Sequence, residues 1–289
     1  MKTVVLGATG FLGRSFLRAY RGLHPDTIGT SSQPSPTHAH FDLNDPDIPS
    51  LGLRGRGYSW GLIAGGVTGV GACERERERA RRINVEGTVA AAVQLVDEDV
   101  IPIFLSSDYV FDGLTGRYRE CDPRRPVNEY GRFKALAEER LLERCKDNCL
   151  IVRLGKVYGL DAGDGTLLDD MARTLLRGDT LRAAVDQVFC PTFVGNVVEA
   201  VTAAQKTRTC GLVNFCAPDA WSRYDIACAL ADALGISRAT VTPVSLDDLK
   251  EPFRRPKNTS MESTRPPLLE RCMSIPDAVR IYAARIPKG

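Results

Sequence analysis

Two patterns of apolar positions alternate along the first half of the chain. Val4-Val5-Leu6 is a short continuous apolar run, as expected of a strand buried on both faces of a parallel sheet. Directly after it, Phe11, Leu12, Phe16, Leu17 and Tyr20 recur at the spacing of one helix face. The alternation then repeats. It predicts strands near 2–6, 26–30, 38–42, 60–64, 101–106 and 149–154, and helices near 11–22, 74–97 and 131–147. Strands and helices in this order build a doubly wound parallel sheet with helices on both faces. After Arg153 the pattern changes. Helices are predicted near 165–177, 194–206 and 223–234, with short strands between them, and prolines gather from Pro252 to Pro267. This half reads as a smaller second lobe.

The junctions between elements carry the chemistry. Gly7-Ala8-Thr9-Gly10-Phe11-Leu12-Gly13 joins the first strand to the first helix. Gly7 permits the tight turn, Gly10 lets a pyrophosphate approach the backbone, and Gly13 lets the helix pack close to the sheet. The free N–H groups of the helix start complete a phosphate cradle. Contacts to a dinucleotide are therefore expected from Gly7, Thr9, Gly10, Phe11, Leu12 and Gly13. The second strand ends Thr30-Ser31-Ser32, without the acid that would accept from a ribose hydroxyl and reject a 2′-phosphate. Its hydroxyls suit a phosphate, so NADP(H) is expected ahead of NAD(H). Ala64-Gly65-Gly66 follows the fourth strand, and its small residues permit close approach of cofactor or substrate.

Tyr130 and Lys134 lie four residues apart, on one face of a predicted helix. A free phenol, with pKa about 10, is a poor acid–base group at neutral pH, and a nearby ammonium is expected to lower that value. Ser107 sits just beyond the apolar strand Ile101–Leu105, at the sheet edge where α/β folds bind ligands, and its hydroxyl can donate to a substrate carbonyl. The order of glycine turn, Ser-ended strand and Tyr-x-x-x-Lys points to hydride transfer at a carbonyl, with Ser107, Tyr130 and Lys134 as catalytic residues and the last two also contacting the cofactor.

These motifs resemble those of the extended short-chain dehydrogenase/reductases, and within them the dTDP-4-dehydrorhamnose reductase family. The resemblance covers most of the chain. It rests on Leu105-Ser106-Ser107-Asp108-Tyr109-Val110-Phe111-Asp112-Gly113, where the family usually has threonine at Ser107. It rests also on Tyr118, Glu120, Pro126 and Asn128 leading into Tyr130-Gly131-Arg132-Phe133-Lys134, on Asp186-Gln187-Val188-Phe189-Cys190-Pro191-Thr192, and on Arg255-Pro256-Lys257-Asn258-Thr259-Ser260-Met261. The resemblance implies an α/β fold: a Rossmann-type doubly wound parallel sheet with a smaller α/β substrate-binding lobe. Residues 1–155, with a returning segment at about 186–218, would form the cofactor domain. Residues 156–185 and 219–289 would form the lobe. Asp42 and Leu43 would contact the adenine end, although Asn44-Asp45-Pro46 also suits a cap at Asp42. Asn84 would hold backbone near the active site. Arg255, Asn258 and Ser260 would bind diphosphate and sugar, with Thr68, Asp108, Tyr109 and Lys156 completing the substrate contacts. Lys156 stands where the family usually has tryptophan, so the sugar nucleotide is open.

Composition narrows the partners. Lys and Arg total 38 against 36 Asp and Glu, which leaves no bulk charge to draw nucleic acid or an acidic membrane surface. The run Glu74-Arg75-Glu76-Arg77-Glu78-Arg79-Ala80-Arg81-Arg82 alternates in sign and is expected as a solvated helix face paired Glu74/Arg77, Glu76/Arg79 and Glu78/Arg82. Nine scattered cysteines without a Cys-x-x-Cys read as reduced thiols, and three histidines offer no metal site. The N-terminus reads as a core strand rather than a signal peptide, and no apolar run suits a membrane span. A cytoplasmic enzyme acting on a small-molecule nucleotide sugar is the expectation, with a homodimer as its assembly. Three readings compete: a nucleotide-sugar 4-ketoreductase, a non-catalytic dinucleotide-binding subunit resembling that of methionine adenosyltransferase, and a dehydrogenase or epimerase acting on another sugar nucleotide.

Overall fold

The computed structural model describes residues 1–286. β1 (Lys2–Leu6) leads into α1 (Phe11–Leu23), and the short strands β2 (Thr30–Ser31) and β3 (Ala39–His40) pair in parallel. β4 (Tyr58–Ile63) is followed by α2 (Val70–Arg75), α3 (Arg77–Arg81) and α4 (Thr88–Asp97). β5 (Ile101–Ser107), α5 (Glu129–Cys145) and β6 (Leu150–Leu154) complete the first half. The second half holds β7 (Val157–Tyr158), α6 (Leu167–Leu176), β8 (Leu181–Ala184), β9 (Val188–Phe189), β10 (Thr192–Phe193) and α7 (Val194–Lys206). It ends with β11 (Gly211–Phe215), β12 (Trp221–Ser222), α8 (Arg223–Leu234), β13 (Val241–Val244) and α9 (Ile275–Arg285).

The central sheet is parallel, in the order β1-β4-β5-β6-β11. A bridge from Val5 to Gly29 sets the β2–β3 ribbon against the free edge of β1. That ribbon is shorter than the expected strands 26–30 and 38–42, because the loop carrying Pro34 and Pro36 turns the chain away after Ser31. Phe16, Leu17 and Tyr20 of α1 and Val197 and Val201 of α7 cover one face of the sheet. Ala91 and Leu95 of α4 and Ala137 and Leu141 of α5 cover the other. A separate apolar cluster joins α6, α8 and α9 through Met171, Leu230, Val279 and Tyr282. The sequence reading missed α9, although Ser274, whose side chain accepts from the Asp277 N–H, and Pro276 in the first turn are a helix-start signal.

The expected helix 74–97 is not continuous. It begins at Val70, breaks at Glu76 (φ −113°, ψ 46°), and widens to a π-helical turn over Arg82–Gly87 before α4. Tertiary contacts impose this. The buried Asn84 is turned toward the loop after β4, and Gly87 lies so close to the backbone of Leu43 that a Cβ there would meet the Leu43 carbonyl at 1.7 Å. The charge run is accordingly not a simple solvated face. Of the three expected pairs only Glu76/Arg79 forms, while Arg77 reaches Glu129 at 2.8 Å and Glu74 accepts from the Glu129 N–H at 3.0 Å.

Backbone pairing in the second half crosses the expected division. Within 186–218, α7 and β11 belong to the sheet side, whereas β9 and β10 pair with β12 and β7. The 258–272 stretch, expected in the lobe, folds back: Tyr118 N–H donates to Ser260 O at 2.9 Å, and Leu268, Leu269 and Cys272 pack on the sheet-side cluster. Backbone pairing across about 140 residues cannot be read from local periodicity. Among the described residues no helix is long and apolar enough to cross a membrane.

Candidate active site

A cleft of about 750 Å³ runs along the C-terminal edge of the sheet. At one end the glycine turn forms its wall. Gly7 adopts φ 83° and is pressed on Gly65, where a Cβ would meet the Gly65 Cα at 2.6 Å. Thr9, Gly10, Phe11 and Leu12 line the cleft with Gly7. Gly13 lies behind it, where a Cβ would sit 2.1 Å from the Gly7 carbonyl, so its role is close packing of α1 on the turn. Gly10 is the N-cap of α1 and supplies no side-chain acceptor, which leaves the first-turn N–H groups available to an anion.

The ribbon beside this end departs from expectation. Thr30 and Ser31 are buried: Thr30 Oγ1 accepts from Gly7 N–H at 3.1 Å and Ser31 Oγ from Gln33 N–H at 3.0 Å. Of the three hydroxyl residues only Ser32 reaches the cleft, with the unanticipated Gln33 beside it. Asp42 and Leu43 line the adjoining wall. Asp42 Oδ1 accepts from Asn44 N–H at 2.8 Å, the turn-capping role that its neighbours suggested. Ala64, Gly65, Gly66 and Thr68 form the floor. Asn84 clamps that floor with two hydrogen bonds, accepting from Val67 N–H and donating to Val67 O, each at 2.8 Å.

At the centre, β5 ends at Ser107 and a 3₁₀ turn carries Asp108 and Tyr109. The start of α5 is driven against that turn. Gly131 touches it so closely that a Cβ would lie 2.1 Å from the Tyr109 carbonyl, and Asn128 caps α5 by accepting from Gly131 N–H at 2.9 Å. Tyr130 therefore stands edge-on to Tyr109, ring centroids 6.0 Å apart, beside Ser107. One turn on, the buried Lys134 donates to Leu105 O at 2.7 Å, with its ammonium 5.9 Å from the Tyr130 ring centre. Burial pulls the Lys134 pKa down to about 8 against the opposing charge of Glu138. The expected lowering of the Tyr130 pKa is not found. Burial raises it, the neighbouring Ser107 hydroxyl opposes this only in part, and the Lys134 ammonium is occupied by a carbonyl and the Phe104 face. The resting phenol is thus firmly protonated.

Beneath the site lies a network absent from the sequence reading. Arg153 donates to both oxygens of the fully buried Glu138 at 2.9 and 2.7 Å, and Ser106 Oγ donates to the same carboxylate at 2.5 Å. It pins β5, β6 and α5 together under Ser107 and Lys134. Single residues of ordinary type gave no sequence signal for it.

Toward the lobe, Lys156 and Arg255 line the cleft, and both join Arg223 around a small adjoining pocket. Arg255 Nη1 donates to the Tyr109 hydroxyl at 3.5 Å and the guanidinium pairs with Glu251. Desolvation and the neighbouring Arg223 push the Lys156 pKa down, and desolvation and Arg255 do the same at Arg223. Three cations thus crowd this end of the cleft. Arg223 was missed because it opens a helix with nothing in its local pattern to mark it. Asn258 and Ser260 do not reach the cleft. Asn258 Oδ1 accepts from Ser260 Oγ at 2.7 Å, and Ser260 Oγ accepts from Arg117 N–H at 2.9 Å, a latch that fixes the loop bearing Arg255. Among the described residues no group of three or more His, Cys, Asp or Glu is placed to hold a metal ion.

A family model described as the RmlD substrate binding domain matches residues 1–271. A dTDP-4-dehydrorhamnose reductase of Mycolicibacterium smegmatis is 33% identical over 273 residues, covering 91% of this chain and 79% of that protein. Methionine adenosyltransferase 2 subunit beta of Danio rerio is 25% identical over 281 residues, covering 93% of this chain and 84% of that protein. Among solved structures, a dTDP-4-dehydrorhamnose reductase from Bacillus anthracis in complex with NADP superposes with a TM-score of 0.80 at 22% identity, covering 91% of each chain.

Proposed function

Because the chain belongs to the family of the RmlD substrate binding domain, we propose that it reduces the C4 keto group of a nucleotide-linked 4-keto-6-deoxyhexose with NADPH. The observation that carries this reading is the convergence of Ser107, Tyr130 and Lys134 on the cleft that the glycine turn opens. The residues present fit the cofactor. Gly7, Gly10 and the uncapped start of α1 suit its pyrophosphate, Ser32 and Gln33 suit a 2′-phosphate, and Lys134 suits a ribose hydroxyl. NADPH, when bound, supplies the hydride. NADP(H) is favoured over NAD(H) by the absence of an acid at the end of β2, and a relative of the same fold is an NADP complex.

The chain's own residues then act as follows. Tyr130, kept protonated by burial, donates its phenol proton to the alkoxide oxygen that forms as the ketone is reduced. Lys134 stabilises the phenolate left behind. Ser107 hydrogen-bonds the ketone oxygen and disperses its developing charge. Lys156, Arg223 and Arg255 receive the diphosphate, and Tyr109 and Thr68 border the sugar. The reading includes a cytoplasmic setting and a homodimer, the latter checked by light scattering.

The test is oxidation of NADPH in the presence of dTDP-4-keto-6-deoxy-L-mannose and its uracil analogue, with Tyr130→Phe alongside. Turnover by the wild type, reduced about 10²–10⁴-fold in the variant, is the expected result. NADPH binding without turnover on any keto sugar nucleotide overturns the reading. The relative from Danio rerio favours a second one, a non-catalytic subunit, and stable co-purification with a partner enzyme would then be its mark.

A further inference from the structure

Ser107 has one hydroxyl proton, and in this structure a carboxylate takes it. Ser107 Oγ accepts from Tyr109 N–H at 3.2 Å and donates to Asp108 Oδ1 at 2.9 Å. The other oxygen, Asp108 Oδ2, accepts from Thr259 Oγ1 at 2.6 Å. A serine that donates to a carboxylate has no second proton for a ketone oxygen. With Asp108 ionised, Ser107 therefore has no proton for the ketone oxygen, and the surroundings of Asp108 decide whether it is ionised.

The Asp108 side chain is buried, at 3% exposure, and its two oxygens are held by hydroxyls rather than by cations. Such a site favours the uncharged acid. Burial pushes its pKa up to about 6, against the hydrogen bonds of Thr259 and Ser107 and the charge of Lys156. The groups that face it are few. They are Tyr130 from α5, Lys156 after β6, Cys190 before β10 and Cys216 after β11. Tyr109 from its own turn, Arg223 from α8 and Arg255 from the late loop border the same small pocket. The three cations favour the carboxylate, and burial outweighs them.

We propose that Asp108 is a positioning residue: its acid form donates to Ser107 Oγ and frees the Ser107 proton for the substrate's ketone oxygen, while its ionised form takes that proton and withdraws the donor. The inference rests on the ketoreductase reading for the identity of the acceptor. No proton is consumed at Asp108. The proton on Oδ1 stays within the Asp108–Ser107 hydrogen bond, and the alkoxide is still protonated by Tyr130. The sign of the pH dependence follows. Reduction is supported while Asp108 is protonated and declines as pH rises through its pKa, well below the raised pKa of Tyr130.

The test compares kcat/KM for reduction from about pH 5 to 9 with an infrared titration of the buried carboxyl, taken as the wild type minus Asp108→Asn without substrate. The carboxyl is expected to titrate near pH 6. The midpoint should move upward in Thr259→Val and Ser107→Ala, each of which removes a hydrogen bond that stabilises the ionised form. Wild-type kcat/KM should fall about tenfold or more across that transition. In Asp108→Asn the amide N–H donates to Ser107 at every pH, so the decline should vanish. In Thr259→Val it should move to higher pH. A carboxyl that titrates in the ordinary aspartate range, about 3.9, or a decline that persists in Asp108→Asn, overturns the proposal. If the carboxyl titrates as described and shifts in both variants while no keto sugar is reduced, the ketoreductase reading fails and the Ser107–Asp108 coupling stands.

Discussion

At the scale of single residues, burial sets the chemistry of the site more than neighbouring charge does. Lys134 carries its ammonium into a buried position where a carbonyl and an aromatic face replace water. Its pKa falls from 10.5 to about 8, so between those values the folded chain binds fewer protons than the unfolded one, and stability rises with pH across that window. Lys134→Met should therefore melt above the wild type at neutral pH, with the gap closing as pH rises from 8 toward 10.5. A gap independent of pH in thermal melts would show that packing, not charge burial, is responsible. The grouping of Ser107, Tyr130 and Lys134 on one cleft was legible because these residue types are rare in that order. The sense of the Tyr130 shift was not, because desolvation depends on which atoms surround the ring.

At the scale of elements, close backbone contacts position the groups that the motifs name. Gly61 in β4 faces Leu95 in α4 so closely that a Cβ would lie 2.6 Å from a Leu95 methyl. Leu95→Ala should cost about 2–5 kcal/mol by leaving a cavity, and Gly61→Ala about 1–3 kcal/mol by overpacking. The double variant should be less destabilised than the sum of the two in urea unfolding, since each relieves the other. Gly131 plays the parallel role for activity. Gly131→Ala should lift the start of α5 from the β5 turn and lower kcat at least about tenfold, with NADPH affinity less affected; a wild-type kcat would disprove the positioning argument. Periodicity placed β1, α1, β5, α5, β6 and α7 closely. Within the expected helix 74–97 it missed the break at Glu76 and the π-helical turn at 82–87, where Asn84 and Gly87 obey contacts with Val67 and Leu43 rather than helix propensity.

At the scale of the whole molecule, the cleft is completed by pieces distant in sequence. Arg223 opens α8, Lys156 follows β6 and Arg255 rides on a loop that is latched to residues 117–118 through Ser260. Arg223→Ala should raise KM for the nucleotide sugar about tenfold or more, with KM for NADPH unchanged; equal effects on both would place Arg223 outside the substrate end. The sequence by itself determined the alternating sheet, the phosphate turn and the Ser107, Tyr130 and Lys134 set, because each depends on local spacing along one strand or helix. Only the tertiary structure decided that Thr30 and Ser31 turn inward, that Asn258 and Ser260 form a latch, and that Arg223 joins Lys156 and Arg255 around the pocket beside the cleft. Those outcomes depend on which distant backbone supplies a hydrogen-bond partner and excludes water, and no local pattern encodes that.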